Sequence, residues 1–396
     1  MDYLSPEITK LTSGSSMIRK MFEAGIELKK KYGDANVYDF SLGNPDLAPP
    51  PAVKKALEQI AETLDRPFAI GYMPNVGYPE TRAALAKKIS EEQRTETPAS
   101  NVIVTCGAAG GLNIFFRAVL SQGDEVICPS PYFVEYGFYC GNFGGKLVPV
   151  NTKLPDFSLD VEAMERAITP KTRAVIINSP NNPTGQIYSR DEVEALAKVL
   201  DKHSTINGRP IYLVSDEPYR FLNFDKVEIP SAFEVYDASV VIGSFSKSLC
   251  LAGERIGYVA VNPAFEGAAD IMSGLILTNR ILGFVNAPAI AQKILQTSVD
   301  SEVDVGIYAR RRDLMAKVLD GAGIEYTLPR GAFYFFPKSP VADEKVFIEA
   351  LVKERVLAVS GSGFGMPGFI RLAFCVDDKT IENSAESFKR AAAAVR

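Results

Sequence analysis

Short apolar runs alternate along this chain with longer segments of helical period. From Pro51 to about residue 285 the runs are Val102–Thr105, Glu125–Cys128, Ala174–Ile177, Ile211–Ser215 and Ser239–Ser244. Helix-like stretches such as Leu112–Leu120 separate them. Strands that are apolar throughout, rather than at every second position, are covered on both faces. The pattern therefore predicts βαβ units and a mainly parallel sheet. Ahead of this region, a helix-like piece near Met17–Lys31 precedes an irregular segment, Leu42–Asp46. Beyond Asn286-Ala287-Pro288 lie two amphipathic segments, Ile290–Gln296 and Val305–Asp320. Strands near Gly331–Phe336 and Phe369–Phe374 and a last helix near Lys379–Ala394 complete the chain. The expected class is α/β: a large domain with a mainly parallel mixed sheet flanked by helices, plus a smaller α+β domain. The expected division is an N-terminal arm over residues 1–50 that joins the small domain, a large domain over 51–285 and a small domain over 286–396.

Composition narrows the function. The chain has 396 residues, 46% of them hydrophobic, enough for a large core. The net charge of −5 and the lack of any long basic run argue against a nucleic-acid partner. No stretch approaches the ~18 consecutive apolar residues of a membrane span. Met1–Pro6 has no positive region followed by an apolar run, so no secretory signal is expected. Cys106, Cys128, Cys140, Cys250 and Cys375 are scattered and odd in number, which points to free thiols in a reducing cytoplasm. His203 is the single histidine and lies in the polar stretch Asp201–Thr205, where a solvated surface residue is expected. Metal chemistry and histidine-based catalysis are not expected.

The chemistry-bearing residues each follow an apolar run, where ligands bind in open α/β sheets. After Ser239–Ser244 comes Phe245-Ser246-Lys247-Ser248, with Arg255 further on. A lysine forms Schiff bases as its neutral amine, and the hydroxyls and the arginine suit a phosphate dianion. After Val102–Thr105 comes Cys106-Gly107-Ala108-Ala109-Gly110-Gly111, a glycine turn entering a helix. Such a turn offers free N–H groups to a phosphate, or is simply a tight turn. After Ala174–Ile177 the rigid turn Asn178–Gly185 places Asn182 to offer an amide. After Ile211–Ser215 come Asp216 and, three residues on, Tyr219. A carboxylate there is expensive unless paired, by a protonated pyridine nitrogen or by one of the chain's own arginines. Arg371 interrupts the apolar strand Phe369–Phe374 and suits a buried carboxylate, of a substrate or of the chain itself.

Taken in order, Gly43-Asn44-Pro45-Asp46, Tyr72 to Gly77, Thr105-Cys106-Gly107-Ala108, Asn181-Asn182-Pro183-Thr184-Gly185, Asp216-Glu217-Pro218-Tyr219, Ser244-Phe245-Ser246-Lys247, Arg255 and Arg371-Leu372-Ala373-Phe374 resemble the class I/II aminotransferases, fold type I pyridoxal-phosphate enzymes similar to aspartate aminotransferase. The resemblance implies pyridoxal 5'-phosphate as cofactor, held by Lys247 as a Schiff base. Lys247 would also move the substrate's α-proton. It further implies that Asp216 pairs with the ring nitrogen, that Asn182 and Tyr219 bond the ring's phenolic oxygen, and that Phe133 stacks on the ring. Ser244, Ser246, Arg255 and the turn Gly107, Ala108 and Ala109 would hold the phosphate. Arg371 would bind the substrate α-carboxylate, with Gly43 and Asn182 alongside. Tyr72 would reach the phosphate of a neighbouring subunit, which implies a homodimer with shared sites. Three departures stand out: Ala108-Ala109 lacks side-chain donors, Cys106 stands where relatives often carry Ser, and Ser360-Gly361 replaces the family's more usual Pro-Gly.

The expected activity is transfer of an amino group between an L-amino acid and a 2-oxo acid, with aspartate or glutamate use or a broad range open. Arg280 is either a cation for a distal carboxylate or a surface charge. A carbon–sulfur β-lyase uses the same residue set and stays open as an alternative. A non-catalytic, effector-sensing domain is more remote, because no basic DNA-binding segment is attached.

Overall fold

The computed structural model describes residues 3–13 and 17–396. Its centre is one seven-stranded sheet: β1 (Val102–Thr105), β2 (Glu125–Ser130), β3 (Lys146–Asn151), β4 (Thr172–Asn178), β5 (Tyr212–Asp216), β6 (Ser239–Ser244) and β7 (Gly257–Val261). The spatial order is β1-β7-β6-β5-β4-β2-β3. β7 runs antiparallel to both neighbours, and all other pairs are parallel. The fold is thus the α/β class with a mainly parallel mixed sheet. β3 and β7 were not among the apolar runs. β3 is a half-exposed edge strand carrying Pro149, a position where proline costs no ladder bond. β7 is a fully buried five-residue strand that starts at a glycine.

Among the described residues, two large cores follow, with a small third cluster of Phe157, Phe336, Val359, Phe364 and Met366. The first wraps the sheet and takes in Leu112, Phe115, Val175, Leu213, Val241 and Val259. Ala287, Ala291, Ile294, Leu295 and Val299 also belong to it. The second core begins at Val303 in the C-terminal part and gathers Phe333, Phe335, Phe347, Leu372 and Phe374. It also recruits Phe40, Tyr219 and Leu222 from earlier in the chain. Its strands are β8 (Tyr334–Phe335), β9 (Val359–Ser360) and β10 (Ile370–Ala373), antiparallel in the order β9-β10-β8. Tyr38–Asp39 pairs in parallel with Val356–Leu357, tying the N-terminal segment to this part.

The helices start and stop close to where periodicity places them, with two informative exceptions. The helix after β1 runs Gly107–Val119 and so begins at the glycine turn itself. The last predicted helix is two, Asp378–Asn383 and Ala385–Val395, broken at Ser384. The Ser384 hydroxyl is buried and donates to the carbonyl of Ile381 (2.7 Å), a local bond that competes with the helix ladder.

Register brings the site together. Asn178 at the end of β4 lies opposite Asp216 at the end of β5, and Asp216 opposite Ile242 of β6. Gly257 pairs with both Ser244 and Thr105. Gly257 has no room for a side chain: a Cβ would lie 2.7 Å from the Gly107 carbonyl carbon and 2.9 Å from the Ala108 nitrogen. That contact seats the start of the Gly107–Val119 helix against the sheet.

Candidate active site

A cavity of about 370 Å³ opens at the carboxyl ends of β1, β4, β5 and β6. Asp216, Tyr219, Lys247, Asn182, Arg371, Gly43, Phe133, Ser244, Ser246, Arg255, Ala108 and Ala109 all line it. Gly107 stands next to them at φ 71°, where an added Cβ would lie 3.0 Å from the Arg255 guanidinium.

The sheet side supplies Asp216. Its side chain is buried at the end of β5, and Tyr136 donates its phenolic proton to Oδ2 at 2.5 Å. Among the described residues, Oδ1 has no hydrogen-bond partner. Burial raises the carboxyl to about 7; the Tyr136 bond works against this and Glu217 adds to it. Asn178 fixes the strand end by donating Nδ2 to the Asp216 carbonyl (2.8 Å), while its Oδ1 accepts from the backbone of Asn182 (2.7 Å). Asn181 holds the rest of that turn through Oδ1, which accepts from the N–H and hydroxyl of Thr184.

Lys247 follows β6 and donates Nζ to the carbonyl of Gly43 at 2.5 Å. Burial lowers its pKa, reinforced by Arg371 and Arg255 and opposed by the Cys375 and Cys250 thiols. A buried ammonium with cations as neighbours gives up its proton more readily than a surface lysine.

The second core supplies the opposite charge. Arg371, on β10, is buried, donates to the carbonyl of Ser41 (2.6 Å) and to Oδ1 of Asn182 (3.3 Å). Its guanidinium lies over the rings of Tyr334 (4.9 Å) and Phe364 (4.7 Å). Among the described residues its Nε has no partner, and burial lowers its pKa. The bond to Arg371 occupies the Asn182 oxygen and leaves its amide nitrogen free to donate. Tyr219 and Tyr334 share a hydroxyl–hydroxyl bond of 2.8 Å, and burial raises both phenols, Tyr334 to about 12.

Arg255 adopts a left-handed backbone conformation at φ 49° and anchors itself to the carbonyl of Ala252 (2.9 Å). With Ser244, Ser246 and the first-turn N–H groups of the Gly107–Val119 helix, it forms a neutral-to-positive corner of the cavity. The first N–H groups of a helix have no intrahelical acceptor and favour an anion.

The residues fit pyridoxal 5'-phosphate. A buried carboxylate oxygen and a buried guanidinium nitrogen, both without partners, line one cavity. The first wants a cation such as a protonated ring nitrogen, and the second wants a carboxylate. The anion corner matches a phosphate and Lys247 an aldehyde.

Some expected residues lie elsewhere. Tyr72 is 95% exposed and, with Met73, Phe284 and Val285, lines a separate surface hollow. Arg280 is exposed on the helix Ala268–Ile281, outside the cavity lining. His203 is not free in solvent: it is partly buried with Nε2 3.3 Å from Glu165, because the neighbouring helix carries that carboxylate over it. The Ser360-Gly361 departure has a local role. Ser360 donates to buried Glu344 (2.6 Å), and the same carboxylate accepts from the N–H of Gly368 (2.9 Å). Against the upward push of burial, these bonds and one from the Ser362 hydroxyl lower Glu344 to about 2 and fasten the loop that leads into β10. Sequence reading missed Tyr136, Tyr334 and Phe364, and also Glu135 and Tyr139 at the cavity rim. The aromatic ones have aromatic or apolar neighbours, so nothing in the pattern separates them from core.

Residues 35–388 match the model of the family described as aminotransferase class I and II. The aspartate/prephenate aminotransferase of Thermus thermophilus is 33% identical over 375 residues, covering 92% of this chain and 93% of the relative. The probable aspartate/prephenate aminotransferase of Aquifex aeolicus is 32% identical over 380 residues, with 92% and 93% covered. Among solved structures, an amino transferase from Eubacterium rectale superposes with a TM-score of 0.94 at 38% identity, covering 99% of this chain and 98% of that one. The aspartate aminotransferase of Thermus thermophilus with maleate gives 0.88 at 29% identity, with 99% and 100% covered.

Proposed function

The chain belongs to the class I and II aminotransferases, enzymes that use pyridoxal 5'-phosphate, and on that premise we propose that the cavity lined by Lys247, Asp216 and Arg371 is its active site. One observation carries the assignment of roles: Asp216 Oδ1 and Arg371 Nε are buried and unpartnered in the same cavity. When bound, the cofactor supplies an aldehyde for an amine to condense with and a ring that accepts electron density from the substrate α-carbon.

The chain's own residues do the rest. Asp216 holds a proton on the ring nitrogen by remaining ionised beside it. Arg371 orients the amino acid through its α-carboxylate, using the fork that its bonds to Ser41 and Asn182 hold in place. Lys247, its pKa lowered by burial, takes the α-proton onto Nζ and returns it. Asn182 and Tyr219 donate to the ring oxygen, and Phe133 covers one face of the ring. Arg255, Ser244, Ser246 and the backbone N–H groups of Gly107, Ala108 and Ala109 neutralise the phosphate.

For the substrate we propose an aspartate- or glutamate-type donor; the relatives' names support the aspartate part. The cations lining the cavity are Lys247, Arg255 and Arg371, and each already has a role. A distal carboxylate therefore meets neutral donors or a group from a second subunit. A homodimer is proposed on the exposure of Tyr72 (95%) and Phe68 (92%), with Ile70 beside them, a concentration of apolar surface that a partner would cover. The proposed compartment is the cytoplasm, supported by five free cysteines. Among the described residues, no helix is long and apolar enough to cross a membrane and no cluster of metal-ligating residues occurs.

The test is the visible absorbance of the holoenzyme before and after single amino acids are added without a 2-oxo acid. Conversion of the yellow form to the pyridoxamine form by aspartate or glutamate is expected. Release of pyruvate and ammonia from a sulfur amino acid, with the yellow form persisting, would overturn the transfer reading in favour of a β-lyase.

A further inference from the structure

Asp216 can pair with the ring nitrogen only if it is ionised and only if the right oxygen faces the cavity. Neither condition comes free. The carboxyl group is buried at the end of an apolar strand, and Glu217 adds a like charge next to it. Asn178, the polar neighbour on β4, spends its amide on the Asp216 backbone carbonyl and not on the carboxylate. Among the described residues, the Tyr136 hydroxyl is the single donor to the side chain, and it occupies Oδ2. Oδ1 is then the oxygen left without a partner.

Tyr136 is built for that placement. It lies in the short helix Glu135–Gly141, fully packed in the first core, and its ring meets Phe133 edge-on with centroids 5.6 Å apart at 86°. The ring cannot swing away without opening a void. The other titratable groups near the pair are Tyr139 on the same helix, Cys128 on β2, and Glu217 and Tyr219 after β5. Burial raises the tyrosines and Cys128, so they are neutral around pH 7 and leave Glu217 as the other acidic influence.

We propose that Tyr136 is a positioning residue for Asp216: its hydroxyl clamps Oδ2, which keeps the carboxylate ionised and leaves Oδ1 turned to the cofactor's ring nitrogen. The proposal rests on the assignment of Asp216 to that nitrogen. Its consequence is a particular pH signature. Removing the donor leaves the buried carboxylate unsupported and moves its titration further up from about 7. Below the titration of both forms, cofactor binding must ionise Asp216 in each, and the variant is at a disadvantage. Above both, the carboxylate is already ionised in each, and the disadvantage vanishes.

The experiment is equilibrium dialysis of holoenzyme to measure retention of pyridoxal 5'-phosphate between about pH 6 and about pH 9, for wild type and Tyr136→Phe. A hydrogen bond to a charged group corresponds to roughly one to two pKa units. Retention should thus be weaker in Tyr136→Phe by roughly 10- to 100-fold at the low end and close to wild type at the high end. The titration of Lys247 is common to both proteins and cancels in the ratio. A deficit independent of pH, the result of merely loosened packing, would overturn the proposal, as would no deficit at all. The same pair of measurements in an Asp216→Asn background closes the cycle: without a titrating carboxyl, the pH-dependent part must disappear. If Asp216→Asn retains cofactor like wild type, the assignment of Asp216 itself fails. If it loses cofactor while Tyr136→Phe shows no pH-dependent deficit, only the role of Tyr136 fails. Should Tyr136→Phe not fold, Tyr136→Gln keeps a neutral N–H donor that does not itself titrate in the window measured. It must then retain the wild-type pH dependence, and a wholly different dependence would overturn the clamp.

Discussion

The two sides of the cavity are made differently. On the sheet side Asp216, Ser244 and the Gly107 turn sit at the ends of neighbouring strands, and ladder register alone sets them beside one another. On the other side Gly43, Tyr334 and Arg371 come from distant parts of the chain and meet only because the N-terminal segment packs into the second core. The sheet side is suited to a permanent occupant. The other side grips its ligand through one guanidinium held by carbonyls and aromatic rings, and is suited to a substrate that enters and leaves. Variants should therefore separate cofactor retention from amino-acid recognition according to the side they touch.

The largest effect falls where the two sides meet. Lys247→Ala should lower kcat by at least about 10³-fold while the fold persists, measured by steady-state transfer and circular dichroism. Near-normal turnover would remove lysine from the proton transfer. Asp216→Asn should come next, lowering kcat by roughly 10²- to 10³-fold and loosening the cofactor, because a neutral amide cannot stabilise the ring's charge. Tyr334→Phe removes one hydroxyl bond to Tyr219 and should cost a few-fold in kcat/KM with cofactor retention unchanged. A loss as large as that of Asp216→Asn would erase the distinction between the two sides.

The smallest effect is on stability. Asp216 in the cofactor-free protein titrates near 7, above its value in the unfolded chain. A raised carboxyl contributes stability that is present at low pH and lost as pH rises through that value. Glu344, held near 2 by Ser360 and Gly368, has the opposite sign: its contribution is present at neutral pH and is lost as pH falls from about 4 to about 2. Melting temperatures of the cofactor-free protein should rise between pH 8 and pH 5 from the first group. Glu344→Gln should blunt the fall at strongly acidic pH from the second.

The contrast between the sides also explains what could be read in the sequence. Asp216, Lys247 and Arg371 are charges at or within apolar runs, and a charge in such a place advertises a partner. The parallel strands were legible for the same reason, since Val102–Thr105 and Ala174–Ile177 are apolar on both faces. Edge strand β3 was not, because Pro149 interrupts its short apolar stretch Leu147–Val150 and a proline demotes a run as a strand. Tyr136 and Tyr334 were invisible because a tyrosine among phenylalanines looks like core, and only the coordinates reveal where its hydroxyl points. Tyr72 was singled out by a motif, yet in a single chain it faces outward and its meaning depends on assembly.

The most direct measurement is made on one variant, Arg371→Ala, with two readouts: retention of pyridoxal 5'-phosphate and the amino-acid concentration that half-converts the yellow form. Division of labour between the sides predicts wild-type retention together with a rise of roughly 100-fold in that concentration, the scale for truncating one partner of a buried charge pair. An unchanged half-converting concentration, or loss of the cofactor along with the amino acid, would contradict it.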